Sequence, residues 1–253
     1  MAAIAVLAAS CGGGEEAVTT DRPEPGDSFQ WQLADLPVDT SVSADVYDVD
    51  LFETPADTVD ELHDDGRFVI CYFSAGSFEP FRDDSDQLPD EVVGDPLEGF
   101  PDERWLDVRE VDALAPIIEA RLDRCADKGF DGVEFDNVDG FANDSGFDLT
   151  AEDQLEFNRW LASEARERGL SPGLKNALDL AAELVDDFDW GLVEECVQFD
   201  ECDLVAPFVD SGKAVFVVEY EGSMDEVCAA VPDGVTAVLK DVELTVELET
   251  CST

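Results

Sequence analysis

Histidine is almost missing from this chain of 253 residues: His63 is the only one. Serine–histidine and cysteine–histidine catalysis therefore have no spare base, and His63 itself falls in a short helix expected on the outside, solvated. Zinc loses its usual imidazole partners for the same reason, and the seven cysteines include no CxxC spacing. Basic residues are also scarce, with 14 Lys and Arg against 63 Asp and Glu and a net charge of −49. Phosphate backbones need basic clusters, so nucleic-acid partners are excluded. No GxGxxG motif follows a strand, which removes the dinucleotide cofactors. The run Asp136–Gly140 fails as a calcium loop, because a glycine at the sixth position would put Phe135 first. Neither a cofactor nor a metal is expected. The apolar run Ala2–Ala9 is too short to cross a bilayer.

What is present is a core-forming chain with 45% hydrophobic residues. Its acidity has two compatible readings: solvation in a saline exterior, or steering of a cationic ligand into an acidic cleft. The charge is spread along the whole chain, which favours solvation.

Residues 1–11 (MAAIAVLAASC) read as the end of a signal peptide leading to a lipoprotein-like cleavage box with Cys11 as the lipidated residue. Residues 12–28 read as a polar, flexible linker, and 29–253 as one domain. Membrane contact is expected only through a lipid on Cys11, and the location is extracytoplasmic, either anchored or secreted. Six further cysteines are an even number suited to disulfides outside the cytosol. Cys196–Cys202 is the nearest pair, Cys228–Cys251 would tie down the C-terminus, and Cys71–Cys125 would join a strand to a helix. Fifteen connectivities remain open at this point.

From Phe29 onward, short apolar strands alternate with helices. Strands are expected at Phe29–Leu33, Val46–Leu51, Phe68–Ser74, Gly132–Asp136, Gly173–Asn176, Trp190–Glu194, Ala214–Tyr220 and Val235–Lys240. Leu114, Ile117, Ile118, Leu122 and Cys125 share a helical face that Gly129 terminates. Thr150 with Asp153 forms a capping pair for the next helix. Shorter helices are expected over Thr58–Asp64, Leu178–Asp187 and Met224–Ala230. Eight such repeats predict an α/β fold, a (β/α)8 TIM barrel whose first repeat is degenerate. A long loop without secondary structure, Ala75 to about Arg104, follows the third strand and would rise over the C-terminal face.

In a barrel the C-terminal strand ends carry the chemistry. Asp136 ends the fourth strand inside GFDGVEFDNVDG, flanked by Asp131, Glu134 and Asp139. Glu194 and Glu195 end the sixth, Glu219 and Tyr220 the seventh, Asp48 and Asp50 the second, and Lys175 and Asn176 the fifth. Polar residues repeatedly placed where an apolar strand stops suit a site at the barrel mouth, although strands also end in polar loops for no functional reason. Two carboxylates facing a sugar are the equipment of glycoside hydrolysis, and Trp31, Tyr47, Tyr72, Trp105 and Tyr220 offer faces for stacking.

The segments WQL, YDVDLF, VICYFSAGSFE, WLDVR, GFDGVEFDNVDGF, GLKN, EECVQFDEC and AVFVVEY occur in order from about Phe29 to Lys240. Together they resemble glycoside hydrolase family 114, TIM-barrel enzymes similar to endo-α-1,4-polygalactosaminidase. The resemblance implies a retaining mechanism with Asp136 as nucleophile and Glu194 as general acid/base; Phe135 stands where the family often has proline. Asp48, Tyr72, Asp131, Asp139, Lys175, Asn176, Glu219 and Tyr220 are then expected to orient the sugar or bind its amino group. The expected partner is a polysaccharide, cationic if rich in galactosamine. Ordinary α-galactosides, or a non-catalytic carbohydrate-binding lipoprotein, are the alternatives.

Overall fold

In the computed structural model, which describes residues 22–251, eight parallel strands follow one another around a curled sheet. They are β1 (Phe29–Gln32), β2 (Val46–Asp50), β3 (Phe68–Ser74), β4 (Gly132–Asp136), β5 (Ser171–Lys175), β6 (Trp190–Glu194), β7 (Val215–Glu219) and β8 (Thr236–Leu239). Every expected strand is present, three with the expected ends and five with ends shifted by one or two residues. The proposed signal segment and Cys11 lie outside the described residues. Residues 22–28, at the end of the proposed linker, hold a turn in which the Asp27 N–H donates to the Glu24 carbonyl.

Period-two alternation divides the strand side chains into two layers. Phe29, Trp31, Ile70, Trp190, Phe216 and Val238 fill the barrel interior. Tyr47, Val49, Cys71, Val133 and Val217 face outward against the helices. Those helices are α1 (Ala56–Asp64), α2 (Val111–Lys128), α3 (Ala151–Glu167), α4 (Ala181–Leu184), α5 (Ala206–Asp210) and α6 (Met224–Ala230). Helix α2 buries its expected face and stops at Gly129, whose φ of 88° places it in the left-handed region. Helix α3 opens with the Thr150–Asp153 capping box. No helix joins β1 to β2, so the first repeat is degenerate as expected. Gly173 is required by packing, because a Cβ there would stand 2.2 Å from the Trp190 ring inside the barrel.

No ladder joins β8 to β1 among the described residues. The C-terminal tail fills that seam. Glu249–Thr250 pairs antiparallel with β8, and the Leu33 and Ala34 N–H groups donate to the Leu244 carbonyl. Lys240 closes the gap from inside: its Nζ donates to Gln30 Oε1 at 2.9 Å and to the Thr245 and Glu247 carbonyls. With no carboxylate among those acceptors, burial pushes its ammonium down to about 8.

The segment after β3 differs from expectation. It carries a three-stranded antiparallel sheet, Ser77–Phe78, Val93–Leu97 and Phe100–Leu106, with the last strand in the middle. Its prolines and aspartates hide the pattern, since few of its side chains are buried. Val92 and Leu106 anchor it in the core, and charge pairing pins the rest: Arg121 of α2 grips Asp84 with two bonds of 2.8 Å, and Arg82 contacts Asp50 at 2.7 Å and Glu79 at 2.8 Å. The disulfides are Cys71–Cys125, Cys196–Cys202 and Cys228–Cys251.

Candidate active site

Three adjacent strands end in the same way. Asp136 closes β4, Lys175 closes β5 and Glu194 ends β6, and each is followed by a residue with positive φ: Asn137 (61°), Asn176 (48°) and Glu195 (56°). Left-handed backbone is tolerated by asparagine; at Glu195 it costs on the order of 1 kcal/mol. These turns stop each strand sharply, so its last inward side chain stands at the mouth. Gly76 lets the segment after β3 lie flat on this edge, because a Cβ there would fall 1.7 Å from the Asn137 carbonyl oxygen.

Lys175 is the centre of the arrangement. Its side chain is 2% exposed, and its Nζ lies 2.9 Å from Asp136 Oδ1, 2.9 Å from Glu194 Oε2 and 3.3 Å from Glu134 Oε1. The ammonium also sits 4.8 Å from the centre of the Trp31 ring. Burial opposes its charge, but the surrounding carboxylates outweigh burial and hold it well above the ordinary lysine value.

Asp136 is fully served as an anion. It accepts from Lys175, from the Tyr72 hydroxyl at 2.9 Å and from the Asn137 N–H at 2.9 Å. Burial alone would raise its carboxyl; the Lys175 charge and these donors reverse that and bring it below the usual range. Burial and the Asp136 charge push the Tyr72 phenol well up, so Tyr72 remains a donor. Glu194 shares Lys175 and adds partners of its own: Asn176 Nδ2 donates to Oε2 at 3.1 Å, the Glu194 N–H donates to Asn176 Oδ1 at 2.9 Å, and the Tyr220 hydroxyl donates to Oε1.

Above these groups opens a cavity of about 1040 Å³. Among the described residues, six acidic side chains line it, those of Asp136, Asp139, Glu194, Glu195, Glu221 and Glu243, against one ammonium, that of Lys175. Burial, then the Asp136 charge, pushes Asp139 up to about 6. Trp31, Phe100 and Trp105 supply apolar walls, and Phe100 is 56% exposed.

Of the residues expected from sequence, Asp136, Glu194, Tyr72, Asp139, Lys175, Asn176 and Tyr220 converge on this cavity. Asp131, Asp48 and Glu219 do not. Asp131 precedes β4 at the opposite end of the barrel, where it accepts from the Val69 N–H and pairs with His63 at 2.8 Å. His63 is thus paired where solvation was expected. Asp48 points into the closed interior below the mouth, fully buried beside Glu134. Glu219 is turned toward the loop after β6 and accepts the Val197 N–H at 2.8 Å. Tyr47 faces outward and donates to the Val42 carbonyl. Glu221 and Glu243 went unread in the sequence, since among so many acids only loop position distinguishes them.

The family model for glycoside-hydrolase family GH114 matches residues 13–253. The chain belongs to family GH114. It is a glycosidase that hydrolyses O-glycosyl bonds. The GH114 chain is also similar to Ega3 of Aspergillus fumigatus, solved in complex with galactosamine, at 38% identity. The match covers 94% of this chain and all of that one, with a TM-score of 0.88. The glycoside hydrolase domain of PelA from Pseudomonas aeruginosa shares the fold at 15% identity and a TM-score of 0.70, over 89% of this chain and 99% of that one. A comparison with curated proteins finds no match. The barrel expected from sequence is therefore the family's own.

Proposed function

We propose that this GH114 enzyme is a retaining endo-glycosidase of α-1,4-linked galactosamine polymers, with Asp136 as nucleophile and Glu194 as general acid/base. The observation that carries the reading is the shared ammonium. Asp136 Oδ1 and Glu194 Oε2 each lie 2.9 Å from Lys175 Nζ, so they stand no farther apart than twice that distance. Carboxyl groups about 5–5.5 Å apart suit retention, whereas inversion needs about 6.5–9.5 Å to admit a water.

The mechanism then follows from the contacts. Asp136, kept ionised by Lys175, Tyr72 and Asn137, attacks the anomeric carbon through an oxygen. The glycosidic C–O bond breaks, and the Glu194 proton passes to the leaving oxygen. Glu194, now a carboxylate, takes a proton from water as that water displaces Asp136, which restores both groups with net retention.

The substrate class rests on two supports. The 38% identical Ega3 was solved with galactosamine, and the cavity offers an ammonium-bearing sugar a strongly acidic lining. Endo action is supported by a second space of about 250 Å³ beyond Glu194, lined in part by Leu178, Asp179, Glu201 and Leu204. Glu194 borders both spaces and Asp136 only the larger. The smaller one is thus on the leaving-group side, and the Cys196–Cys202 disulfide braces its wall. Three disulfides suit export, and lipidation at Cys11 completes the proposal.

The test is digestion of deacetylated α-1,4-galactosamine polymer by wild type, Asp136→Asn and Glu194→Gln. Oligomers released with α-configured new ends by wild type alone support the reading. β-Configured ends would overturn retention. Cleavage only of neutral α-galactosides would move the substrate, and binding without cleavage would leave a carbohydrate-binding protein.

A further inference from the structure

Below the mouth, the barrel interior holds two carboxylates that the mechanism above does not use. Asp48 of β2 and Glu134 of β4 are both fully buried. All four of their oxygens lack a hydrogen-bond donor among the described residues. Glu134 Oε1 has Lys175 Nζ at 3.3 Å, an ion-pair contact not aligned as a hydrogen bond, and Asp48 faces Glu134 within hydrogen-bonding reach. Two ionised carboxylates cannot remain face to face in a closed core with one ammonium above them, already shared with two further acids. A single proton resolves this, because a neutral Asp48 donates O–H to Glu134 and leaves one charge beneath Lys175.

We propose that Glu134 is a positioning residue that shares one proton with Asp48, and that the charge left on Glu134 holds Lys175 in place through both halves of turnover. This rests on the retaining mechanism proposed above. When Asp136 becomes an ester it loses its charge, and Glu194 becomes a carboxylate. Without Glu134, Lys175 would then pair with Glu194 alone and weaken it as a base. With Glu134 the ammonium keeps an anionic partner from below, and Glu194 stays free to activate water. The charged or titratable groups facing Glu134 are Asp48, Tyr72, Asp136, Lys175 and Glu194. Burial, first among the causes, pushes Glu134 up to about 7, and burial with the Glu134 charge drives Asp48 well above its ordinary value.

The two residues therefore respond differently to amide substitution. Asp48→Asn copies the neutral partner and should fold and turn over within about twofold of wild type. Glu134→Gln removes the charge, so its second half-reaction should slow: kcat falls about tenfold or more, kcat/KM falls less, and glycosyl-enzyme accumulates. Intact-mass spectrometry of acid-quenched enzyme turning over deacetylated galactosamine oligomers reads that adduct. Wild-type kcat with no excess adduct in folded Glu134→Gln overturns the proposal, and so does an Asp48→Asn loss as large as that of Glu134→Gln. Infrared spectroscopy of wild type at neutral pH supplies a reading independent of substrate and of Glu134→Gln folding. A buried protonated-carboxyl band that vanishes in Asp48→Asn is expected, and its absence in wild type sinks the shared proton even if the substrate assignment fails separately.

Discussion

The two ends of β4 carry the same side chain to opposite effect. Asp131, just before the strand, is 32% exposed, accepts one backbone N–H from β3 and pairs with His63 of α1. Asp136, five residues on, meets a buried ammonium, a phenol and a backbone N–H, and opens onto the cavity. Asp131 staples a helix to the sheet; Asp136 sits in a cluster whose charges only balance together. In a βα barrel the N-terminal end serves stability and the C-terminal end chemistry, and the supporting partners here divide the same way.

Four experiments probe that contrast. The largest effect should come from Asp136→Asn, which removes the proposed nucleophile while keeping shape. Turnover should drop by more than about a thousandfold while the protein still folds, with some loss of stability from the broken Lys175 contact, measured by reducing-end release beside calorimetry. Next is Lys175→Met, which leaves Asp136, Glu194 and Glu134 without their common cation. Breaking a buried pair costs about 3–5 kcal/mol, so urea unfolding should show a loss of that size together with lost activity. Asp131→Asn, at the opposite end, keeps an oxygen to accept from Val69 and weakens only the partly exposed contact with His63. About 1 kcal/mol of stability and no change in kcat are expected; a tenfold fall in kcat would break the division between the ends.

The smallest effect concerns pH. Glu134 binds its proton more tightly folded, at about 7, than unfolded, and Asp48 is raised in the same direction. The folded state therefore holds more protons, and these groups make stability fall as pH rises from the unfolded carboxylate range through about 7. Asp48→Asn removes one of the two, so its stability should decline less over that window than wild type. An unchanged slope in denaturant titrations at several pH values would argue against a raised Asp48.

Much of this was legible in the chain. Apolar runs bounded by polar residues gave the eight strands, and the spacing from Leu114 to Cys125 gave α2. The excursion after β3 was not, because few of its side chains are buried and the segment between its strands is pinned by Arg82 and Arg121 pairing with acids distant in sequence. Asp48 and Glu219 had the right address, a strand near its polar end, but depth and rotation took them from the mouth.

Sequence by itself determined the repeat, the barrel class and the placement of Asp136 and Glu194 at strand ends, since a period of two and a local stop signal need no distant partner. Only the tertiary structure decided which acids share Lys175 and which lie buried beneath it. That follows from how the strands stagger around the barrel: inward positions from β2, β4, β5 and β6 meet at heights that no single strand specifies.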